Sequence, residues 1–377
     1  MTAIPMNRRT LVASLIGGGL LLPRLAFANT PSERIFVNAY GSPQGFGFAA
    51  FGADGALRYT LPLPQRGHSF TQSPDARTGV AFARRPGSFA RVFDLRSGTV
   101  QHEIAATEDR NFCGHGAYSA DGRLLHATEV VASTGDGVLG IYDVRDGYRR
   151  IGEFATRGLD PHEILLMPDG RTLVVANGGI LMRSDMPRLK LNIPDMAPSL
   201  VYLDSRDGSL TGEIKPAREL HQLSTRHIAI DRHGRVAVAM QYEGPADDDV
   251  PLVALHDPGA GETGFRYLPM PRAEQTALRQ YCGSAAIDRT GRYLAVSSPR
   301  GNRVLVWDLA ADAMPMVASV PLGDVCGLGA SGEAGGFVLS AGTGKREVWH
   351  QGSAQPRMLS ATERRLQWDN HMMPVMI

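Results

Sequence analysis

The stretch "HGAYSADGRLLHATEVVASTGDGVLGIYDVRDG", His115–Gly147, decides the fold of this chain. It reads as a short apolar strand, a D-G turn, a second strand, a third strand ending in Tyr142-Asp143, and another turn leading into a fourth. The same order starts at His68 in "HSFTQSPDARTGVAFARRPGSFARVFDLRSG". It returns at His162 in "HEILLMPDGRTLVVANGG", resuming after an insertion at "SLVYLDSRDG" from Ser199, and at His227 in "HIAIDRHGRVAVAMQYEG". A fifth copy, "GSAAIDRTGRYLAVSSPRGNRVLVWDLAAD", starts at Gly283, and a weaker sixth, "CGLGASGEAGGFVLSAGTGKREVWHQG", at Cys326. Insertion aside, the period is about 45 residues, the length of a four-stranded propeller blade.

The chain ends supply a seventh unit. "WDNHMMPVMI" closes the chain with one strand, and residues 34–64 give three more ("RIFVNAY", "GFGFAAFGADG", "ALRYTLPLP") with no innermost strand before them. Together they complete a blade and tie both termini into one sheet, which removes free edges. The expectation is an all-β fold, a seven-bladed β-propeller closed by strands from both termini and forming one domain over residues 29–377. Only Ala273–Gln280 offers a short helical turn.

Residues 1–28 read as an export signal. Arg8 and Arg9 precede an apolar run over Thr10–Leu22, and Ala26-Phe27-Ala28 resembles a signal-peptidase site. "NRRTLV" resembles a twin-arginine signal, with an ordinary secretory signal as the alternative. The run is too short and glycine-rich to span a bilayer, so the expected location of the mature chain is the periplasm, with no membrane span. Removing Arg8, Arg9 and Arg24 takes the net charge from +1 to −2, which leaves no basic surplus for nucleic acid.

Histidine begins the innermost strand in five of the seven units: His68, His115, His162, His227 and His371. The chain has only 11 histidines, so position rather than abundance is the signal. WD-type repeats carry a Gly-His that bonds within its own blade, but about a dozen residues before the turn Asp. His115 precedes Asp121 by half that distance, which favours a convergent ring at the mouth of the central channel. Several neutral imidazoles on one axis suit copper, zinc, iron or nickel, whereas hard ions prefer carboxylates. Asp160 and Glu163 flank His162 and Asp369 precedes His371, as further ligands or as acceptors that fix an imidazole tautomer. Cys113, Cys282 and Cys326 lie near the same face, as ligands, as inert packing, or with Cys282 and Cys326 in a disulfide between adjacent blades. The insertion between Gly178 and Ser199 is expected to cover one face. Its Arg183, Arg188 and Lys190 could meet an anion, and its Met182, Met186 and Met196 a soft metal.

"LDPHEILLMPDGRTLVVANGGI", "LKLNIPDMAPSLVYLDSRDG", "LSTRHIAID" and "MQYEG" resemble the bacterial periplasmic family filed as domain of unknown function 1513. The resemblance runs over nearly the whole mature chain. It implies export, a propeller, and placement beside periplasmic iron-uptake proteins of the imelysin kind, with no established catalytic residues. The architecture is also similar to the propeller of nitrous oxide reductases, whose hub histidines hold a copper cluster. Five histidines rather than seven suit a site for one or two metal ions. The functional expectation is a metal-binding propeller that handles iron or copper in uptake. A metal-dependent oxidoreductase using the same histidines and a non-catalytic interaction scaffold are the alternatives.

Overall fold

The computed structural model describes residues 32–183, 186, 189–359 and 366–377. The expected export signal and Arg188 lie outside the described residues. Seven antiparallel sheets form a ring, as the repeat required. The innermost strands of blades 1 to 6 are Gly67–Gln72, Arg110–Tyr118, Pro161–Leu166, Leu223–Ile230, Ser284–Ile287 and Val325–Ala330. In each blade the next three strands follow outward in chain order. The one α-helix among the described residues is Arg272–Ala277, on the connection between blades 4 and 5.

Blade 7 is the composite one. Gln367–Trp368 and Met373–Met376 pair in line along Arg34–Ser42, which then pairs outward with Gly45–Gly52 and Leu57–Leu63. Backbone bonds between Glu33 and Ile377 run both ways, at 3.0 and 2.9 Å. Two segments distant in the chain thus close the ring, and the sheet has no seam there.

Local chemistry sets the blade length. After the innermost strand, a serine and an aspartate close the turn: Ser119 Oγ donates to Asp121 at 2.7 Å, and Asp121 accepts from the Arg123 N–H at 3.1 Å. After the third strand, Asp94 accepts from the N–H of Ser97 at 2.8 Å, and Gly98 takes φ +71°, a conformation that favours glycine. Between blades the sheets bury apolar side chains. Phe48, Phe70 and Phe93 join blades 7 and 1, and Trp307 packs between blades 4 and 5. Each such fully buried side chain contributes roughly 1.5–3 kcal/mol.

This winding assigns the loops to faces. The connection into each innermost strand and the loop between second and third strands share one face, the entry face. The serine–aspartate turns that follow the innermost strands lie on the other, the exit face.

Candidate metal centre

In a regular antiparallel ladder, side chains alternate between the two faces of the sheet. A bulge breaks that alternation and re-aims one of them. Each histidine-bearing blade has such a break at its histidine. The register shifts between Gly67 and Phe70, Phe112 and Gly116, Pro161 and Glu163, and Thr225 and His227. In blade 7 the innermost strand is interrupted between Trp368 and Met373, and His371 sits in the gap at φ +66°. That left-handed conformation costs a non-glycine residue roughly 1–2 kcal/mol, strain of a kind concentrated at functional sites.

The five imidazoles converge. Ring centroids lie 4.4 Å apart for His115 and His371, 4.5 Å for His227 and His371, 4.6 Å for His68 and His371, and 4.8 Å for His162 and His227. His68, His115, His162 and His371 each offer a ring nitrogen within 4.8 Å of the others. Glu163, His227 and His371 form a second group to the same limit, so His371 belongs to both. Gly114, at φ +109°, makes room for the cluster, because a Cβ there would lie 2.5 Å from Cδ2 of His68.

None of the five is more than 9% exposed. Burial holds the imidazoles of His68, His115, His162 and His227 well below their usual range, and that of His371 at about 3. Neighbouring imidazoles and the guanidiniums of Arg84 and Arg226 push in the same direction. The rings are therefore neutral at pH 7, the form that ligates metal. Burial pushes the Glu163 carboxyl up to about 8 although the Ile228 N–H donates to it at 3.0 Å. Its oxygens lie 3.8 Å from His115 Nδ1 and 3.5 Å from His227 Nδ1.

A buried donor or acceptor without a partner costs about 1–3 kcal/mol. Here seven ring nitrogens are in that state: Nδ1 of His68, Nε2 of His115 and of His371, and both nitrogens of His162 and His227. Such crowding of unsatisfied, neutral, lone-pair-bearing groups fits a transition-metal ion, which would satisfy several at once. The residues could hold one ion among four histidines, or two ions sharing His371.

The other sequence candidates are placed differently. Asp369 is engaged by Arg66 at 2.6 Å and belongs to neither group. Cys113 lines a cavity beside Arg85, Cys282 is buried in the apolar cluster that blades 4 and 5 share, and Cys326 Sγ lies 3.3 Å from the Asp324 carbonyl oxygen. All three cysteines are free thiols, so Cys282 and Cys326 form no disulfide. In the insertion, Met196 is buried, Met186 is exposed, Met182 and Arg183 line the Cys113 cavity, and Lys190 pairs with Glu243. The remaining histidines have local roles. His126 Nε2 lies 3.2 Å from the Ser205 carbonyl oxygen and His256 Nδ1 2.6 Å from the Tyr202 hydroxyl, while His350 pairs with Glu333 at 2.7 Å.

The innermost strand begins five residues before the histidine in blade 2 and four in blade 4, but one residue before it in blades 1 and 3. A polar layer lies on the entry side of the cluster; its aspartates were candidates from the sequence, its arginines were not. Arg66 and Arg84 face Asp369, at 2.6 and 3.8 Å; Arg85 pairs with Asp160, which Arg226 approaches to 3.9 Å. The available signal was an offset of two: Arg66, Asp160 and Asp369 each stand two residues before a ring histidine. From the exit face, a cavity of about 350 Å³ reaches His115 and Glu163 between mostly apolar or small residues such as Ala117, Leu165 and Met373.

Fold and site together define a β-propeller with a buried histidine cluster that could bind metal. The chain belongs to the family described as "Protein of unknown function (DUF1513)", whose model matches residues 61–375. No curated protein gives a significant match. Among solved structures, the chain is similar to Kuenenia stuttgartiensis hydrazine synthase, with a TM-score of 0.62 at 16% identity, over 81% of this chain and 90% of that one. At that identity the likeness is one of fold. No described helix is long and apolar enough to cross a membrane.

Proposed function

We propose that this protein is an exported, periplasmic propeller that binds iron or copper through His68, His115, His162, His227 and His371, with Glu163, and serves uptake or handling of that metal. The observation that carries the reading is the convergence of five buried imidazoles, seven of whose ring nitrogens have no hydrogen-bond partner. Imidazole-rich, carboxylate-poor donor sets favour such borderline metals over calcium or magnesium. Export is supported by Arg8, Arg9 and the Ala26-Phe27-Ala28 motif. Periplasmic iron-uptake proteins are the partners this reading proposes.

Elemental analysis of the purified protein, before and after reconstitution with ferrous or cuprous ion, tests the reading. Near-stoichiometric metal is expected in the wild type and almost none in a variant with His115, His162 and His227 replaced by alanine. Equally negligible metal in both would end the idea.

A metal-dependent oxidoreductase is the second reading, favoured by one feature. All the donors come from adjacent blades, and the exit-side cavity reaches His115 and Glu163, so a small molecule has a route to an open coordination position. Oxygen- or peroxide-dependent turnover that vanishes in the same variant would support it. The scaffold alternative expected hub rings bonded within their own blades, whereas His162 and His227 are bonded to no partner.

A further inference from the structure

The entry-side layer has more cations than it needs. Among the described residues, Arg66, Arg84, Arg85 and Arg226 face the carboxylates Asp160 and Asp369, and Glu243, itself paired with Lys190, acts on Arg85 and Arg226. Arg226 is 12% exposed and its Nε has no partner. Burial above all, with Arg226 and Arg84 adding to it, depresses the Arg85 guanidinium to about 9. The layer therefore carries surplus positive charge among the described residues.

Space for an anion exists at the same place. A cavity of about 210 Å³ is lined by Arg84, Arg85, Asp160 and Arg183 together with the apolar Pro86, Val130, Ile180 and Met182. Asp160 is neutralised by Arg85. Guanidinium forks match paired oxygens, and the apolar wall matches carbon rather than solvent. We propose that this cavity binds a small organic carboxylate, its oxygens on Arg84 and Arg85 and its carbon chain against Ile180 and Met182.

The placement relates the ligand to the histidines. Cys113 and Asp160 stand two residues before His115 and His162, roughly 7 Å along an extended strand. A carboxylate held there lies over the candidate metal centre without replacing its donors. The binding claim itself does not depend on the metal reading.

Isothermal titration of the full-length mature protein with succinate, in a dilute buffer free of phosphate and carboxylates, tests it. Saturable binding is expected, weakened at least roughly tenfold by Arg84→Gln and by Met182→Glu, which places a negative charge on the apolar wall. Thermal melts of both variants confirm that they fold, and metal content is measured on the same samples. Absence of saturable binding, or binding unaltered in both variants, overturns the proposal. Phosphate bound as tightly as succinate overturns the organic part of it. Chelated protein is expected to keep its succinate affinity; loss of affinity on chelation would move the ligand onto the metal and overturn the assigned site.

Discussion

Blades 7, 1, 2, 3 and 4 place a histidine at the same interruption of the innermost strand, and blades 5 and 6, adjacent to each other, do not. In blade 5 the strand Ser284–Ile287 pairs with its neighbour without a register shift. A Cβ at Gly283 would lie 2.7 Å from Pro299 Cδ and 3.1 Å from Asn370 Oδ1, so other side chains already fill that place. Asn370 is held there by the Tyr281 hydroxyl, to which it donates at 3.0 Å. Blade 6 keeps the bulge, between Val325 and Leu328, yet its Cys326 thiol turns to Asp324. The contrast shows that the bulge supplies a direction and the side chain supplies the donor. A one-sided donor set follows, with its bare side toward Gly283 and Cys326.

The largest test of that asymmetry is His371→Gly. His371 is common to both ligand groups and its φ of +66° suits glycine, so the variant removes a donor without adding strain. Metal affinity should fall by more than the roughly 10–100-fold typical of losing an outer-shell partner, and His227→Ala should fall less, because it leaves the four-histidine group intact. Competition with a chelator of known affinity measures both. Equal losses would mean that the two groups do not share His371.

Acid should act next most strongly, and on the metal-free protein. The hub imidazoles are held far below 6.5, so below that pH the unfolded chain binds protons that the folded chain refuses, and stability falls as pH falls. Each contributes up to about 1.4 kcal/mol per pH unit while its folded form stays neutral. Glu163 acts oppositely. Its carboxyl is raised from 4.5 to about 8, so its contribution is present below 4.5 and is lost as pH rises through about 8. Several histidines outweigh one glutamate, and the melting temperature of chelated protein should drop between about pH 7 and pH 5. In the triple alanine variant the drop should shrink. A flat profile in the chelated wild type would show that the rings are not buried as neutral bases.

Gly114→Ala comes third. The new Cβ would press on His68 from a strained φ of +109°, at a cost of about 1–3 kcal/mol. Chemical denaturation reads the loss, and metal content should fall with it because the His68 ring must move. Lost stability with unchanged metal would remove His68 from the donor set.

What the sequence made legible follows from periodicity. Turn aspartates and glycines recur because each strand end has the same backbone problem to solve, so the blade count and the closure of blade 7 could be read directly. The histidines could be read for the same reason, since a repeat carries equivalent positions to equivalent places. The bulges could not, because a register shift depends on what the neighbouring strand does and leaves no composition of its own. The arginine layer was hidden differently. With 36 arginines in the chain, Arg66, Arg84, Arg85 and Arg226 do not stand out, and Arg84 and Arg85 reach the channel from a loop between second and third strands. Asp369 was read as a flanking ligand or as an acceptor for an imidazole; it belongs to neither ligand group and is engaged by Arg66.

The smallest expected effect falls on the bare side of the ring. Cys326 is buried, burial raises its thiol well above the usual range, and its sulfur lies near the Asp324 carbonyl rather than among the imidazoles. Cys326→Ser keeps a donor for that carbonyl, so stability should change by less than about 1 kcal/mol and metal content not at all. Paired with His371→Gly, it tests equivalent positions in neighbouring blades. If metal binding falls in both, the thiol reaches the ion from the side opposite blade 2, and the donor set closes around the ring. If only His371→Gly loses metal, the gap between blades 4 and 7 stands, and with it the room for a further ligand beside the histidines.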